Sequence, residues 1–430
     1  MFKQKTETFT VSYRSLTEPR TSPAADILED RWLHQVFLIT HLPATWPAWK
    51  LAVGLLLVML VVWLAWLPVG MTGAMLAATL YLIFALGDWL LLWWLPRSGR
   101  SFGPVGPQLY LKTAPRLGVA VVLAMIAYIA NTWCDPLSLS FCRLVTPPAI
   151  FGVFTLLQLA GTAIYLWGTL REPFALTTSQ RSITSPGFAP DAPPLRLLHL
   201  SDLHVERLTR REAKLLELIE QARPDLIVIT GDFLNLSYVD EPTARAEVRK
   251  LLAKIQAPYG VYATLGSPPV DRRATTPSLF EGTAIRLLRD EVAVLTWADG
   301  RTLSLIGMDC DHDLAGDARI FEKLLKLTPP DSSRILLYHS PELMPTVRNH
   351  PVDLYLCGHT HGGQIRAPLY GAILTSSALG KQYEMGPYVE QNTTLYISRG
   401  IGLEGLSAPR MRLLCPPEII LFTLNGNGKK

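Results

Sequence analysis

The chain has 430 residues, of which 49% are hydrophobic and 18% are charged, and its formal net charge at pH 7 is +4. So small a charge excludes the general attraction to nucleic acid that a strongly basic chain has, and we expect no nucleic-acid partner. The mean hydropathy of +0.22 is high for a soluble enzyme. Residues 50–170 are almost purely apolar and residues 195–424 have ordinary globular composition, which predicts a membrane region joined to a soluble domain.

Residues 1–49 precede the apolar region and differ from it in composition. Residues 1–32 are polar and mixed in charge, and they lack the apolar core and cleavage site of a signal peptide. We expect them to form a poorly ordered cytoplasmic arm. The segment Trp32–Trp49 contains several Trp and Pro residues, a composition typical of chain that lies at a membrane interface.

Residues 50–170 contain four apolar segments, each close to the ~20 residues that cross a bilayer core as a helix. A helix of that length inside a soluble protein would have a polar face, and these segments have none. The sequence therefore predicts an all-α, four-helix transmembrane region. The predicted spans are Leu51–Leu67, Met71–Leu95, Leu117–Trp133 and Ala149–Leu170.

The basic residues indicate the orientation of these spans. They precede the first span, occupy the loop between the second and third, and follow the fourth. Lys and Arg accumulate on the cytoplasmic side, so we expect a multi-pass protein of the bacterial inner (cytoplasmic) membrane with its C-terminal domain in the cytoplasm. A charge within a span is costly, and for Asp88 we favour a polar neighbour or water over a direct functional role.

A linker and an alternating domain follow the spans. Residues 171–194 are rich in Ser, Thr and Pro, which favours a short tether. Residues 195–424 alternate strand and helix patterns before closer, partly antiparallel strands, and Thr209–Glu212 forms a capping box. This alternation is typical of an α/β domain, and residues 425–430 form a short tail.

Side chains that bind metals follow the apolar strands of this domain. Carboxylate and imidazole together suit Mn, Fe or Zn better than Ca or Mg. An Asp shared between two ions can hold them about 3.5–4 Å apart, the arrangement used for phosphoryl chemistry. No Cys stands among these residues, which argues against structural zinc. The predicted ligands are Asp202, His204, Asp232, His339, His359 and His361.

The order and spacing of these ligands resemble those of the calcineurin-like metallophosphoesterases. The extended stretches Gly358–Gln364, Ser398–Gly402 and Cys415–Ile419 resemble a membrane-attached bacterial branch, which includes enzymes related to the UDP-2,3-diacylglucosamine pyrophosphatases of lipid A synthesis. The resemblance covers about residues 195–424. It implies a two-sheet metallophosphoesterase sandwich flanked by helices, and an enzyme that hydrolyses phosphoric esters or anhydrides.

The resemblance also implies a role for each ligand. Two divalent ions (Mn, Fe or Zn) would be bound, the first by Asp202, His204 and His361, and the second by His339 and His359. Asp232 would bridge the two ions, and Asp232, His339 and His359 would carry the catalytic function. Arg366 and Arg399 are candidates for contact with a substrate phosphate, with a solvated surface arginine as the alternative for each.

One stretch departs from the family pattern. Where the family has Gly-Asn-His followed by Asp or Glu, this chain has Gly266–Asp271, with the sequence Gly-Ser-Pro-Pro-Val-Asp. Ser267 is a weak substitute for the Asn that binds the second ion. Pro268 replaces the His that contacts the phosphate or assists the leaving group. Asp271 could supply an oxygen if the loop folds back. In the dense stretch Asp309–Asp313, an acidic turn is favoured over a metal site, with His312 as a stand-in acid.

Two functions are compatible with this pattern. The first is a membrane-anchored dinuclear-metal phosphoesterase or pyrophosphatase, acting on UDP-2,3-diacylglucosamine or another lipid-linked phosphate. A pyrophosphate suits the altered loop because departing phosphate is a weak base that needs little protonation, and tethering brings lipid phosphates close. The alternative is a degraded, non-catalytic phosphate-binding module that regulates a membrane partner. We favour the first, since all six other ligands are retained.

Overall fold

The computed structural model describes residues 9–15, 36, 39–100, 103–137 and 147–426. The chain divides into two compact units, one built of helices and the other of sheets with flanking helices. Among the described residues, the helical unit lies within Trp32–Thr169 and includes Leu406–Arg410. The described parts of the second unit are residues 9–15, Leu170–Gly405 and residues 411–426.

Four long helices form the helical unit, and all four are long and apolar enough to cross a membrane. Large apolar side chains such as Leu57, Leu90 and Leu156 are exposed on them, as expected of surfaces that face lipid. Small side chains, among them Ala74 and Ala77, are buried and allow helices to approach closely. The helices are α1 (Ala48–Trp66), α2 (Met71–Arg97), α3 (Val105–Leu137) and α4 (Pro147–Leu170).

Helix α3 begins at Val105 rather than at the predicted Leu117. Its first turns contain Arg116, which lowers the local hydropathy although the side chain is buried. The guanidinium donates from Nε to Asp88 Oδ2 at 2.7 Å and from Nη2 to Asp88 Oδ1 at 2.9 Å. It also donates to Gln158 Oε1 and Thr162 Oγ1, each at 2.8 Å. Asp88 therefore has the polar neighbour that the sequence predicts for it.

The ion pair predicts an asymmetric response to mutation. Arg116→Met is expected to destabilise the helical unit by about 3–5 kcal/mol, because it leaves the Asp88 carboxylate buried without its partner. The double change of Asp88→Leu with Arg116→Met removes both charges and should cost far less. Unfolding in detergent measures both, with Arg97→Met at an exposed position as the control. Equal losses in the single and double variants would contradict the pairing.

The second unit contains a seven-stranded sheet, a six-stranded sheet and a two-stranded ribbon. Its strands are β1 (Phe9–Ser15), β2 (Thr177–Ser185), β3 (Leu195–Leu200), β4 (Leu226–Thr230), β5 (Val261–Thr264), β6 (Ile285–Leu287), β7 (Glu291–Trp297), β8 (Thr302–Gly307), β9 (Ser333–Leu337), β10 (Leu354–Cys357), β11 (Arg366–Ala367), β12 (Gly371–Ala372), β13 (Gly386–Glu390), β14 (Thr393–Ile397) and β15 (Glu418–Gly426). The larger sheets have the orders β1-β7-β8-β9-β10-β14-β13 and β2-β15-β3-β4-β5-β6, and β11 pairs with β12.

Alternate residues of the strands enter different apolar layers, because successive side chains point to opposite faces. On β3, Leu195 and Leu197 lie in a core shared by both sheets, whereas Leu198 and Leu200 lie in a core with two helices. A third core covers the other face of the seven-stranded sheet. This arrangement confirms the expected two-sheet sandwich flanked by helices. The helices are α5 (Arg210–Ala222), α6 (Pro242–Leu252), α7 (Leu314–Leu325) and the short α8 (Met344–Val347).

Two strands occupy segments for which the sequence predicts no regular structure. Strand β1 lies within the expected disordered arm and pairs antiparallel with β7 along its whole length. Strand β2 lies within the expected linker and pairs in parallel with β15 from Thr177 to Ser185. Both are edge strands, whose outer faces tolerate polar residues, so their short polar sequences resemble those of loops. The rest of the expected arm, residues 1–8 and 16–32, lies outside the described residues.

Candidate metal centre

The six predicted ligands lie just past the carboxyl ends of parallel strands. Strands β3 and β4 run parallel in one sheet, and β9 and β10 run parallel in the other. Open α/β sheets place their sites at this end of the strands. Asp202 and His204 follow β3, Asp232 follows β4, His339 follows β9, and His359 and His361 follow β10.

Asp202, His204 and His361 form the first ligand group, with one potential ligand atom of each within 4.8 Å of the others. The Nε2 atoms of His204 and His361 are 3.0 Å apart, and His361 Nε2 lies 3.4 Å from Asp202 Oδ1. Donors bound to one ion at about 2.1 Å are separated by roughly 3 Å. All three residues are buried, and their spacing fits one ion.

Asp202, Asp232 and His339 form a second group that meets the same distance limit. Asp232 Oδ2 lies 3.5 Å from His204 Nε2 and 3.3 Å from His339 Nε2. This carboxylate oxygen therefore stands between a ligand of the first group and a ligand of the second. Such a position suits a carboxylate that two ions share.

Three buried atoms of the centre lack a hydrogen-bond partner among the described residues, namely Asp202 Oδ2, His339 Nε2 and His359 Nε2. A buried polar atom left without a partner costs roughly 1–3 kcal/mol. The carboxylate oxygen of Asp202 and the imidazole nitrogen of His339 would both regain a partner as ligands of a divalent ion. The donor set therefore fits metal ions, and the rings of His339 and His359 are in edge contact at 5.2 Å between centroids.

Backbone carbonyls set the orientation of two of the imidazoles. His339 Nδ1 lies 2.6 Å from Thr230 O, and His204 Nδ1 lies 3.2 Å from Leu234 O. An Nδ1–H that donates to a carbonyl leaves the Nε2 lone pair free for a metal ion. Both Nε2 atoms face the carboxylate of Asp232, so the backbone prepares these rings for binding on that side.

The backbone of the centre is strained, which is common at functional sites. Asp202, His204, Asp232, His359 and His361 all have positive φ, between 40° and 68°. The chain also approaches the carboxylates closely at Gly358, where a Cβ atom would overlap Asp202 Oδ2. Glycine is the residue that permits this approach.

Burial and neighbouring charges shift several pKa values in the centre. Burial opposes the charged form of Asp232, but His339 and other histidines outweigh it and hold its pKa below the usual range. Burial lowers the pKa of His359 to about 3, and burial and His204 lower the pKa of His361. A charged Asp232 beside neutral His359 and His361 suits metal binding. His339, whose pKa Asp232 raises against the effect of burial, and Asp202, whose pKa burial raises, would instead give up a proton when an ion binds.

The loop at residues 266–271 differs from the sequence expectation. Asp271 does not supply an oxygen to the centre: its carboxylate accepts the backbone N–H groups of Asp232 at 2.7 Å, Phe233 at 3.1 Å and Gly266 at 2.8 Å. Burial raises the pKa of Asp271 to about 6. Ser267 lies in the centre, where its N–H donates to Asp232 Oδ1 at 2.9 Å.

Both candidate phosphate-binding arginines are ion-paired. Arg366 Nη2 lies 2.8 Å from Glu384, and Arg399 Nη2 lies 2.8 Å from Glu418. Arg366 also donates to the carbonyl of Gly362, next to His361. Their contact with substrate stays a prediction.

Sequence reasoning missed two charged residues beside His361. Glu404 Oε2 lies 3.7 Å from His361 Nε2. Arg412 is fully buried and donates to backbone carbonyls, among them those of Arg399 at 2.9 Å and Gly402 at 2.6 Å. Both residues lie in an irregular segment between β14 and β15, where no periodic pattern marks them.

Comparison with known proteins agrees with this geometry. The family model of the calcineurin-like phosphoesterases matches residues 195–267. The uncharacterized metallophosphoesterase YkuE of Bacillus subtilis is 31% identical over 283 residues, a match that covers 65% of this chain and 96% of YkuE. The chain belongs to the calcineurin-like metallophosphoesterase family. It is a metal-dependent hydrolase of phosphoric esters or anhydrides, and the family uses a dinuclear metal centre.

Two relatives with assigned activities are more distant. Phosphodiesterase YaeI of Escherichia coli is 29% identical over 251 residues, covering 55% of this chain and 84% of YaeI. UDP-2,3-diacylglucosamine pyrophosphatase LpxG of Chlamydia trachomatis is 24% identical over 330 residues, covering 62% of this chain and 95% of LpxG. Among solved structures, a dimetal phosphatase from Danio rerio has a TM-score of 0.32 at 9% identity, covering 51% of this chain and 90% of that protein.

Proposed function

We propose that this metallophosphoesterase is a membrane-anchored dinuclear-metal hydrolase that cleaves a phosphodiester or pyrophosphate bond in a lipid-linked phosphate. UDP-2,3-diacylglucosamine is the candidate substrate, and Mn, Fe or Zn the candidate ions. The position of Asp232 Oδ2 between His204 Nε2 and His339 Nε2 carries the dinuclear assignment. The relative LpxG, named for its action on UDP-2,3-diacylglucosamine, supports the substrate class.

In the proposed centre the six ligands are divided between the two ions. Asp202, His204 and His361 would hold the first ion, His339 and His359 would hold the second, and Asp232 would contact both. Bound ions would activate water and neutralise the charge that develops on the phosphate. The carbonyls of Thr230 and Leu234 would keep the rings of His339 and His204 oriented with Nε2 toward the ions.

Pro268 indicates which kind of leaving group the site can accept. This residue occupies the position where the family has a histidine, and its side chain can neither give nor take a proton. A departing nucleoside phosphate needs little protonation, whereas a departing alkoxide is a strong base and needs an acid. A pyrophosphate is therefore the better substrate for this loop than an alkyl phosphodiester.

A comparison of substrates tests this proposal. The full chain in detergent with Mn²⁺ is expected to hydrolyse UDP-2,3-diacylglucosamine with kcat/KM at least about 10²-fold above that for a glycerophosphodiester, since general acid catalysis contributes about that much. Excess chelator should abolish both activities. Equal rates for the two substrates would contradict the inference that the enzyme requires a weakly basic leaving group. No hydrolysis, together with fewer than two ions per chain, would favour the phosphate-binding regulatory module.

The proposed location is the bacterial inner membrane, with the catalytic domain in the cytoplasm. Support comes from the four apolar helices and from the basic residues at the ends expected to be cytoplasmic. Green fluorescent protein fused after Lys430 is expected to fluoresce. Alkaline phosphatase inserted at Gly70, between α1 and α2, is expected to be active, because that loop would lie outside. The reverse pattern would place the catalytic domain outside.

A further inference from the structure

In the acidic stretch Asp309–Asp313, the three carboxylates bind neighbouring protein groups and the one histidine, His312, points toward the metal centre. Asp309 Oδ2 accepts from Arg289 Nε at 2.9 Å, and Asp311 Oδ1 accepts from Arg273 Nη2 at 3.0 Å. Asp313 caps α7, since its side chain accepts the N–H of Gly316 at 3.1 Å. These carboxylates hold the loop between β8 and α7 in place through their arginine and backbone partners.

His312 points into the metal centre. Its backbone has a φ of 58°, in the left-handed region that a residue with a Cβ adopts only when its surroundings enforce it. The side chain is 2% exposed, and its ring centroid lies 4.9 Å from that of His359. Nε2 lies 3.2 Å from Ser267 Oγ. The strained turn thus carries an imidazole to the serine that stands in place of the family's asparagine ligand.

Glu342 orients this imidazole. Its Oε2 lies 3.4 Å from His312 Nδ1, and its Oε1 accepts the Ser377 hydroxyl at 3.3 Å and the backbone N–H of Ala378. A carboxylate on Nδ1 leaves Nε2, which also lies 3.7 Å from Cys310 Sγ, as the nitrogen that an ion would use, and this is the arrangement found behind metal-bound histidines. The Nε2 atom is directed to the side of the centre where Ser267 and His359 lie.

The second ion would have one protein ligand fewer than the family pattern provides. Asp232, His339 and His359 would give that ion three side-chain ligands, and the family pattern adds a fourth from the asparagine that is Ser267 in this chain. Ser267 Oγ lies 3.4 Å from His359 Nδ1 as well as 3.2 Å from His312 Nε2. The serine hydroxyl therefore occupies the space between the two imidazoles, and it is too weak a donor to replace an amide oxygen by itself.

We infer that His312 is a ligand of the second metal ion and takes the place of the family's asparagine, which is Ser267 in this chain. The inference rests on the dinuclear centre proposed above. It makes the loop between β8 and α7 part of the metal site, and it explains how the chain keeps a second ion despite the altered loop at residues 266–271.

Metal content tests the assignment independently of activity. The full chain in detergent, dialysed against Mn²⁺, is expected to retain two ions, and His312→Ala is expected to retain one, with the second bound at least about 100-fold more weakly. Ser267→Asn added to His312→Ala should restore the second ion, because it supplies the missing amide oxygen. His350→Ala, at a partly exposed histidine 3.9 Å from Glu322, is the matched control and should retain two ions.

The absorption of bound Co²⁺ distinguishes failure of the His312 assignment from failure of the dinuclear centre. Co²⁺ in the wild type is expected to give the absorption of two bound ions, and His312→Ala should lose the portion that belongs to the second. Retention of the first ion shows that the variant is folded. Two tightly bound ions in both proteins would overturn the role of His312 alone, and a loss of activity in that variant would then assign the histidine to the substrate. One ion in the wild type would overturn the dinuclear centre as well.

Discussion

Asp232→Asn is expected to lower kcat/KM by about 10³-fold, the largest effect of any single change in the centre. The carboxylate oxygen lies between His204 and His339, and asparagine removes the negative charge while nearly preserving the shape. The pKa of Asp232 is held below its usual range chiefly by His339 against the effect of burial, so the charge is present throughout the working pH range. Steady-state hydrolysis and metal content should fall together.

Asp240→Asn is the matched control for this experiment. Asp240 follows the same strand as Asp232, but its carboxylate is exposed and pairs with Arg272 at 2.5 Å. Its replacement should leave both hydrolysis and metal content close to wild type, since surface ion pairs contribute little. An Asp232→Asn variant that kept wild-type turnover and two ions would show that the carboxylate does not serve the ions.

The sequence predicts where the six proposed ligands lie because each follows a strand whose pattern is unambiguous. Strand β4, for example, is five consecutive apolar or β-branched residues from Leu226 to Thr230, all buried, and Asp232 comes two residues later. Parallel strands bring their carboxyl ends to one edge of a sheet, so residues that follow such strands are expected to lie close together. The family comparison then confirmed the fold and the class of reaction.

Edge strands and interior pairs were harder to predict. Strand β1 has polar residues at alternate positions and one partly buried side chain, Val11, so nothing in its composition separates it from a loop. In α3, the charge of Arg116 lowers the hydropathy of the first turns, so the span is predicted to begin after it. The acceptors on neighbouring helices, Asp88 at 2.7 Å together with Gln158 and Thr162, explain why that charge is tolerated in the bundle.

The inward turn of His312 depends on residues far away in sequence. Its ring is positioned by Glu342. The neighbouring carboxylates of Asp311 and Asp309 accept hydrogen bonds from Arg273 and Arg289 instead. The sequence singles out His312 of this acidic stretch as a candidate acid, but only the folded loop shows that its imidazole lies beside Ser267. Arg412 could not be predicted for the same reason, because the backbone carbonyls to which it donates come together only in the folded loop.

Gly358→Ala is expected to lower kcat/KM by about 10²-fold, the second large effect, because displacement of a reacting group by about 1 Å costs that much. An added Cβ would overlap both Asp202 Oδ2 and Ser201 Oγ. The backbone N–H of the next residue, His359, donates to Asp202 Oδ1 at 3.0 Å. The methyl group would therefore push the carboxylate away from His361 and strain the strand end that carries His359.

Gly380→Ala distinguishes displacement of a ligand from backbone strain. Gly380 has a φ of 56° and open space around the Cβ position, so alanine there should cost stability without moving a ligand. We expect Gly380→Ala to lower the melting temperature but keep turnover and two ions. Gly358→Ala should instead weaken the first ion, measured by competition with a chelator. Normal metal affinity in Gly358→Ala would mean that the centre can shift as a whole, and that close packing does not fix the position of Asp202.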